Sequence, residues 1–121
     1  MIFLNISNHP SDKWDEKQRA AALAIADEIV DIPFPMVCPK DTQEDIQNIS
    51  HRLIWDIFEN GGDIAYAMVQ GEFTLTFELV KDLQKRHVIC MADCSERNTI
   101  VHEDGTKTVQ FGFVQFREYS L

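Results

Sequence analysis

The sequence predicts a three-layer α/β domain: a mainly parallel sheet covered by helices on both faces, ending in a C-terminal antiparallel β-hairpin. Three observations predict it. Short runs that are apolar throughout, such as "IFLNI", alternate with longer amphipathic runs, the pattern of doubly buried strands joined by crossover helices. After Arg97 the pattern turns purely β-rich, and its two runs meet at Asp104-Gly105, a strong hairpin signal. The 121 residues, 45% hydrophobic and 26% charged, have the size and balance of one globular domain spanning 1–121.

Each element has its own justification. "IFLNI" (2–6) is a continuous apolar strand, and "DKWDEKQRAAALAIAD" (12–27) reads as a helix with Ser11 as its N-cap. "EIVDIPF" (28–34) is a second strand, stopped by Pro33 and Pro35. Thr42 can cap a long helix over 43–59, where Ile46, Ile49, Leu53, Ile54, Ile57 and Phe58 recur at helical spacing; Asn60-Gly61-Gly62 ends it. "DIAYAMV" (63–69) is a third strand. In "GEFTLTFELVKDLQKRH" (71–87) the Phe-Thr-Leu-Thr-Phe portion alternates like a strand, but Phe73, Phe77, Val80 and Leu83 in the full window favour a turn and helix. "VICMADC" (88–94) is the fourth parallel strand. In the last run Val109, Phe111 and Phe113 share one face, whereas Val114 and Phe116 continue on the other; a bulge or twist is expected at Gly112. With right-handed crossovers the result is Rossmann-like.

Composition narrows the partners. Twenty acidic against eleven basic residues give a net charge of −9, which argues against long DNA or RNA, since those need a basic stripe. A single small anion remains compatible, because backbone N–H groups and a few cations suffice for it. No stretch approaches the length of a membrane span, and "MIFLNIS" lacks the basic and long apolar regions of a signal peptide, so no membrane partner and a cytoplasmic location are expected. Of Cys38, Cys90 and Cys94, Cys90 sits in an apolar run and reads as a reduced core thiol. Cys90 and Cys94 lack the second pair that zinc needs, and the phosphate-loop, dinucleotide and nucleophile-elbow patterns are absent. No metal and no cofactor are therefore expected.

In parallel sheets ligands gather beyond the carboxyl ends of the strands, where strand order reverses. Three joints carry polar chemistry there. They are Ser7-Asn8-His9-Pro10-Ser11 after strand 1, Gln70-Gly71-Glu72-Phe73-Thr74 after strand 3, and Asp93-Cys94-Ser95-Glu96-Arg97 after strand 4. If strands 1, 3 and 4 are neighbours, one crevice collects all three, with two helix N-termini pointing into it. Asn8, Ser11, Gln70, Gly71, Thr74, Ser95 and Arg97 are the candidate ligand-binding residues, and His9 and Glu72 the candidate catalytic ones. Plainer roles stand beside these: Ser11 as a cap, Asn8 as a turn residue, Gly71 for backbone shape, Glu72 against the helix dipole, Arg97 as a surface charge.

Asn8-His9 after a short hydrophobic strand, Gln18 in an alanine-rich first helix, "QGEFT", "SER" and the final "FREY" together resemble the small stand-alone CRISPR-associated proteins related to CARF domains. The likeness spans nearly the whole chain, while "PSDKW" departs from it. The resemblance implies a CARF-like fold and a cyclic oligoadenylate ligand, cyclic tetra-adenylate above all. It further implies a homodimer matching the ligand's symmetry, and a metal-independent ring nuclease that switches off type III CRISPR signalling. In such a reaction a ribose 2′-OH attacks the adjacent phosphate and leaves a 2′,3′-cyclic phosphate, which needs in-line positioning, a proton acceptor and donors for the developing charge. Under this implication Asn8, Ser11 and Arg97 hold phosphate, His9 positions or deprotonates the 2′-OH, and Glu72 is a second candidate base. Three alternatives stay open: a non-catalytic sink or sensor for the same messenger, an unrelated enzyme acting on a small nucleotide, and an interaction module with an empty crevice.

Overall fold

The computed structural model describes residues 1–120. Its elements run β1 (Ile2–Ser7), α1 (Glu16–Leu23), β2 (Glu28–Pro33), α2 (Gln43–Glu59), β3 (Ile64–Val69), α3 (Phe73–Gln84), β4 (Ile89–Val101) and β5 (Lys107–Glu118), with a 3-10 turn at Ser11–Lys13 before α1. The five strands form one sheet in the order β2-β1-β3-β4-β5. β1 pairs in parallel with β2 and β3, β3 in parallel with β4, and β4 antiparallel with β5. The expected α/β class, with its mainly parallel sheet and C-terminal antiparallel pair, is what the chain adopts. Strand order reverses between β1 and β3, so the switch point lies at their carboxyl ends.

Strand alternation sends neighbouring side chains into two cores. Leu4, Ile6, Ala67, Val69 and Cys90 face α2 and α3, where Ile46, Ile54, Ile57, Leu75, Leu79 and Leu83 bury their apolar stripes. Phe3, Met68 and Met91 face the other way, against Trp14, Ala22, Ala26 and the ring of Phe116. Phe3 meets Phe116 at 5.1 Å between centroids and Trp14 edge-on at 6.2 Å, so aromatic contacts tie β5 and the approach to α1 onto β1. Cys90 is buried beneath α3, its thiol 3.9 Å from the Val80 carbonyl oxygen, and burial pushes that thiol up to about 12.

Three boundaries correct the sequence reading. The helix expected over 12–27 under a Ser11 cap runs Glu16–Leu23, with Asp15 as N-cap, its Oδ1 accepting from the Gln18 N–H at 2.8 Å. Ser11 is drawn elsewhere: its hydroxyl donates to Asp31 Oδ2 at 3.0 Å across the sheet, and the buried Trp14 holds the segment between them in a tight turn. The strand expected to stop at residue 94 runs on to Val101, so Asp93–Arg97 is not a joint but the middle of β4, pairing with Phe116–Phe111 of β5. The bulge falls at Val114 rather than at Gly112, since Cys94 pairs with Gln115 and Ser95 with Phe113. α2 matches the expected 43–59, and Thr42 and Asp45 form a reciprocal capping box at its start. Residues 73–84 are helical, as the full window requires.

Candidate functional site

The row of side chains that begins with Phe3 on the α1 face of β1 continues as Asn5 and Ser7, both buried. Two polar residues at the end of a core strand need partners, and they find them in the turn that follows. Asn5 Nδ2 donates to the His9 carbonyl at 2.8 Å and to Asp31 Oδ1 at 2.9 Å. The Ser7 hydroxyl donates to Asn5 Oδ1 at 2.6 Å and accepts from the His9 N–H at 3.1 Å. Trp14 Nε1 adds a second donor to the His9 carbonyl, at 3.1 Å. Asp31, on the adjacent β2, also accepts from the Ser11 N–H at 3.1 Å, and Arg19 donates to the Ser11 carbonyl. Every bond that His9 makes to this network is through its main chain. Its backbone is pinned while the imidazole stays available.

A second network stands opposite. Asp93 on β4 accepts from Nε2 of Gln70, just past β3, at 3.1 Å and from Gln18 Nε2 on α1 at 3.3 Å, while its own N–H donates to Gln70 Oε1. Gln18 is buried in α1 one residue ahead of Arg19 and the Ala20–Ala22 run, and its amide spans the gap between helix and sheet. Asp15 closes the third side: beyond capping α1, its Oδ2 accepts from the Phe113 N–H at 3.2 Å and holds the strand β5 beside the helix start. Between these walls lies a cleft of about 360 Å³. His9, Lys13, Asp15, Gln18, Asp93, Ser95, Phe111 and Phe113 line it.

The cleft thus unites His9 with Ser95, across β1 and β4. Its carboxylates are already engaged by amide donors, which leaves Lys13, the Ser95 hydroxyl and the imidazole as its uncommitted polar groups among the described residues. Gln70 supports the cleft through Asp93. Ser11 lies beneath the turn with its hydroxyl committed to Asp31, and Asn8 is exposed on top. Arg97 shares a strand face with Ser95, two residues further along β4.

The joint after β3 is built differently. Gly71 presses on the ring of the buried Phe34, where an added Cβ would lie 2.5 Å from three ring carbons; its glycine serves packing. Glu72 is the N-cap of α3, accepting from the Thr74 N–H at 2.7 Å and the Leu75 N–H at 3.0 Å. These bonds, led by that of the Thr74 hydroxyl, hold the Glu72 carboxyl below its ordinary value. Thr74 faces a different hollow, between the starts of α2 and α3.

Sequence reasoning had not chosen Asp31, Lys13, Asp15, Gln18 or Asp93 as site-forming side chains. One signal for two of the supports was present: Asn5 and Gln18 are polar residues inside apolar or alanine-rich runs, which burial must satisfy. Among the described residues no group of three His, Cys, Asp or Glu side chains is arranged to hold a metal ion, and no helix is long and apolar enough to cross a membrane.

Fold and cleft define a small doubly wound α/β protein with a polar, aromatic-walled cleft beside the carboxyl ends of its central strands. Over residues 1–117 the sequence matches the family described as uncharacterized protein MJ1673 family, and the chain belongs to that family. No curated protein matches it.

Proposed function

We propose that this protein binds cyclic oligoadenylate, with cyclic tetra-adenylate the first candidate, and cleaves it by metal-independent attack of a ribose 2′-OH on the adjacent phosphate, the P–O5′ bond breaking and the 5′-oxygen leaving with a proton. The observation that carries the reading is the pinned His9, its free imidazole sharing one cleft with a lysine and two phenylalanines. An imidazole on a fixed backbone can take the 2′-OH proton, Lys13 can balance charge on the phosphate, and the exposed Phe111 can stack against a base. Ser95 supplies a further donor in the cleft. A cleft of about 360 Å³ suits one nucleotide unit rather than a whole ring, which favours a homodimer sharing the ligand. The likeness to CARF-related CRISPR-associated proteins supports the same ligand, and a cytoplasmic role in ending type III CRISPR signalling.

Within this reading Glu72 is the weaker candidate base, since capping bonds occupy both its oxygens and favour its charged form. Arg97 remains a candidate phosphate contact from β4. Incubating the protein with cyclic tetra-adenylate and resolving the products tests the proposal. The expected product carries a 2′,3′-cyclic phosphate, and His9→Ala lowers the cleavage rate by roughly 10²–10⁴-fold with the fold intact. Lys13→Ala weakens binding, because a charge-assisted phosphate contact is lost in ground and transition states alike. Retention of the intact ring would identify a sink or sensor; no interaction at all would overturn the reading.

A further inference from the structure

Away from the cleft, α2 and α3 lie side by side on the other face of the sheet. Between them is a hollow of about 290 Å³ lined by His51, Ile54, Trp55, Asp82, Lys85 and Arg86. Several of these side chains are not used up by the fold. Trp55 is 62% exposed, whereas Trp14 is buried, and an indole is seldom left so open to water. Lys85 and Arg86 are both exposed. In a chain with twenty acidic against eleven basic residues, neither is ion-paired to a described carboxylate. Arg86 instead rests its guanidinium on the ring of Phe58, 4.4 Å from the centroid, which steadies the cation.

Asp82 is the most telling of them. It is buried on α3, and the Ser50 hydroxyl of α2 donates to its Oδ2 at 2.7 Å, with His51 Nε2 3.5 Å from the same oxygen. No described residue donates to Oδ1, so a buried carboxylate lining the hollow keeps one oxygen for a donor from outside the chain. Together these groups select a ligand. An exposed indole takes a planar ring face to face. Two adjacent cations favour a phosphate dianion over a single carboxylate. The free carboxylate oxygen asks for an N–H donor on the ring. A planar ring with an N–H edge, joined to a phosphate, is a nucleotide, and the hollow has room for one.

We propose that the α2–α3 hollow is a second binding site, for a nucleoside monophosphate. Its base lies on Trp55 with an amino group donating to Asp82 Oδ1, and its phosphate meets Lys85 and Arg86. The site is separate from the cleft and stands whatever the cleft binds. Equilibrium dialysis of the full chain against AMP tests it. AMP is expected to bind with a Kd of roughly 10–100 µM. Lys85→Ala/Arg86→Ala and Trp55→Ala are each expected to weaken it by roughly tenfold or more. All three positions are exposed, and an unchanged far-UV spectrum checks that these variants fold. Ribose 5-phosphate and adenosine, each lacking half of the ligand, should bind at least about tenfold more weakly than AMP. Purine riboside 5′-monophosphate, which lacks only the amino group, should also lose roughly tenfold, through Asp82. Lys13→Ala, a change to the cleft alone, should leave AMP binding as it is. Absence of saturable binding below about 1 mM AMP overturns the proposal. So does equal binding of ribose 5-phosphate or of the purine riboside, or loss of AMP binding in Lys13→Ala with retention in Lys85→Ala/Arg86→Ala.

Discussion

The turn that leaves β1 is held by polar side chains, the turn that leaves β3 by packing, although both stand at the same switch point of one sheet. After β1, Asn5, Ser7 and Trp14 bond to the two backbone groups of His9, and Asp31 accepts from Asn5 and Ser11 behind them. After β3, Gly71 lies on the ring of Phe34 and Glu72 caps the helix that follows. The difference shows which joint is arranged around a usable side chain. Packing fixes a backbone and leaves no functional group over. Directional bonds to the main chain fix it equally well and free the imidazole.

Removing the hub of the polar network has the largest expected effect on stability. Asn5→Ala strips partners from the Ser7 hydroxyl and the His9 carbonyl in a buried place, and should cost about 3 kcal/mol by denaturant unfolding. A loss below about 1 kcal/mol would mean that the turn is held by Trp14 and Asp31 without it. Gly71→Ala comes next, at about 2 kcal/mol, because the new methyl meets a ring that α2 and α3 keep in place. A neutral result would break the packing half of the comparison. His9→Ala should move stability by less than about 0.5 kcal/mol, since its network bonds are main-chain bonds that alanine retains. Set beside Asn5→Ala, this variant separates holding the turn from using it.

The smallest effect concerns Glu72 and depends on pH. Its carboxyl lies below its ordinary value of 4.5 in the folded chain, so its stabilising contribution is fully present above that value and declines as pH falls through the folded one. Glu72→Gln should therefore be slightly less stable than the wild type at neutral pH, and the two should converge in acid. Unfolding curves at several pH values check this; a gap that widens on acidification would contradict the capping role.

Local patterns were enough for β1, β2, α2, β3 and α3, whose signals lie within a few residues of each other. Thr42 and Asp45 satisfy one another, so the start of α2 could be read without its surroundings. Ser11 could not, because the partner that draws it away from capping lies on β2, twenty residues on. The polar run Ser95–Arg97 read as a joint, yet β4 continues through it because β5 supplies the ladder bonds regardless of side-chain polarity. The site was legible to the same degree. His9 could be placed at the end of β1, whereas Ser95 reaches the cleft from the middle of β4, and Lys13 and Asp15 reach it from the segment before a late-starting α1.

Cys90 carries a separate consequence. A thiol at about 12 holds almost no thiolate at neutral pH, and its position under α3 shuts out reagents as well. Alkylation there has to wait for α3 to lift from the sheet, whereas the exposed Cys38 has nothing to wait for. Mass spectra taken during treatment with an alkylating reagent would therefore time the opening of the α3 layer in the native protein, with Cys38 as the internal zero of the clock.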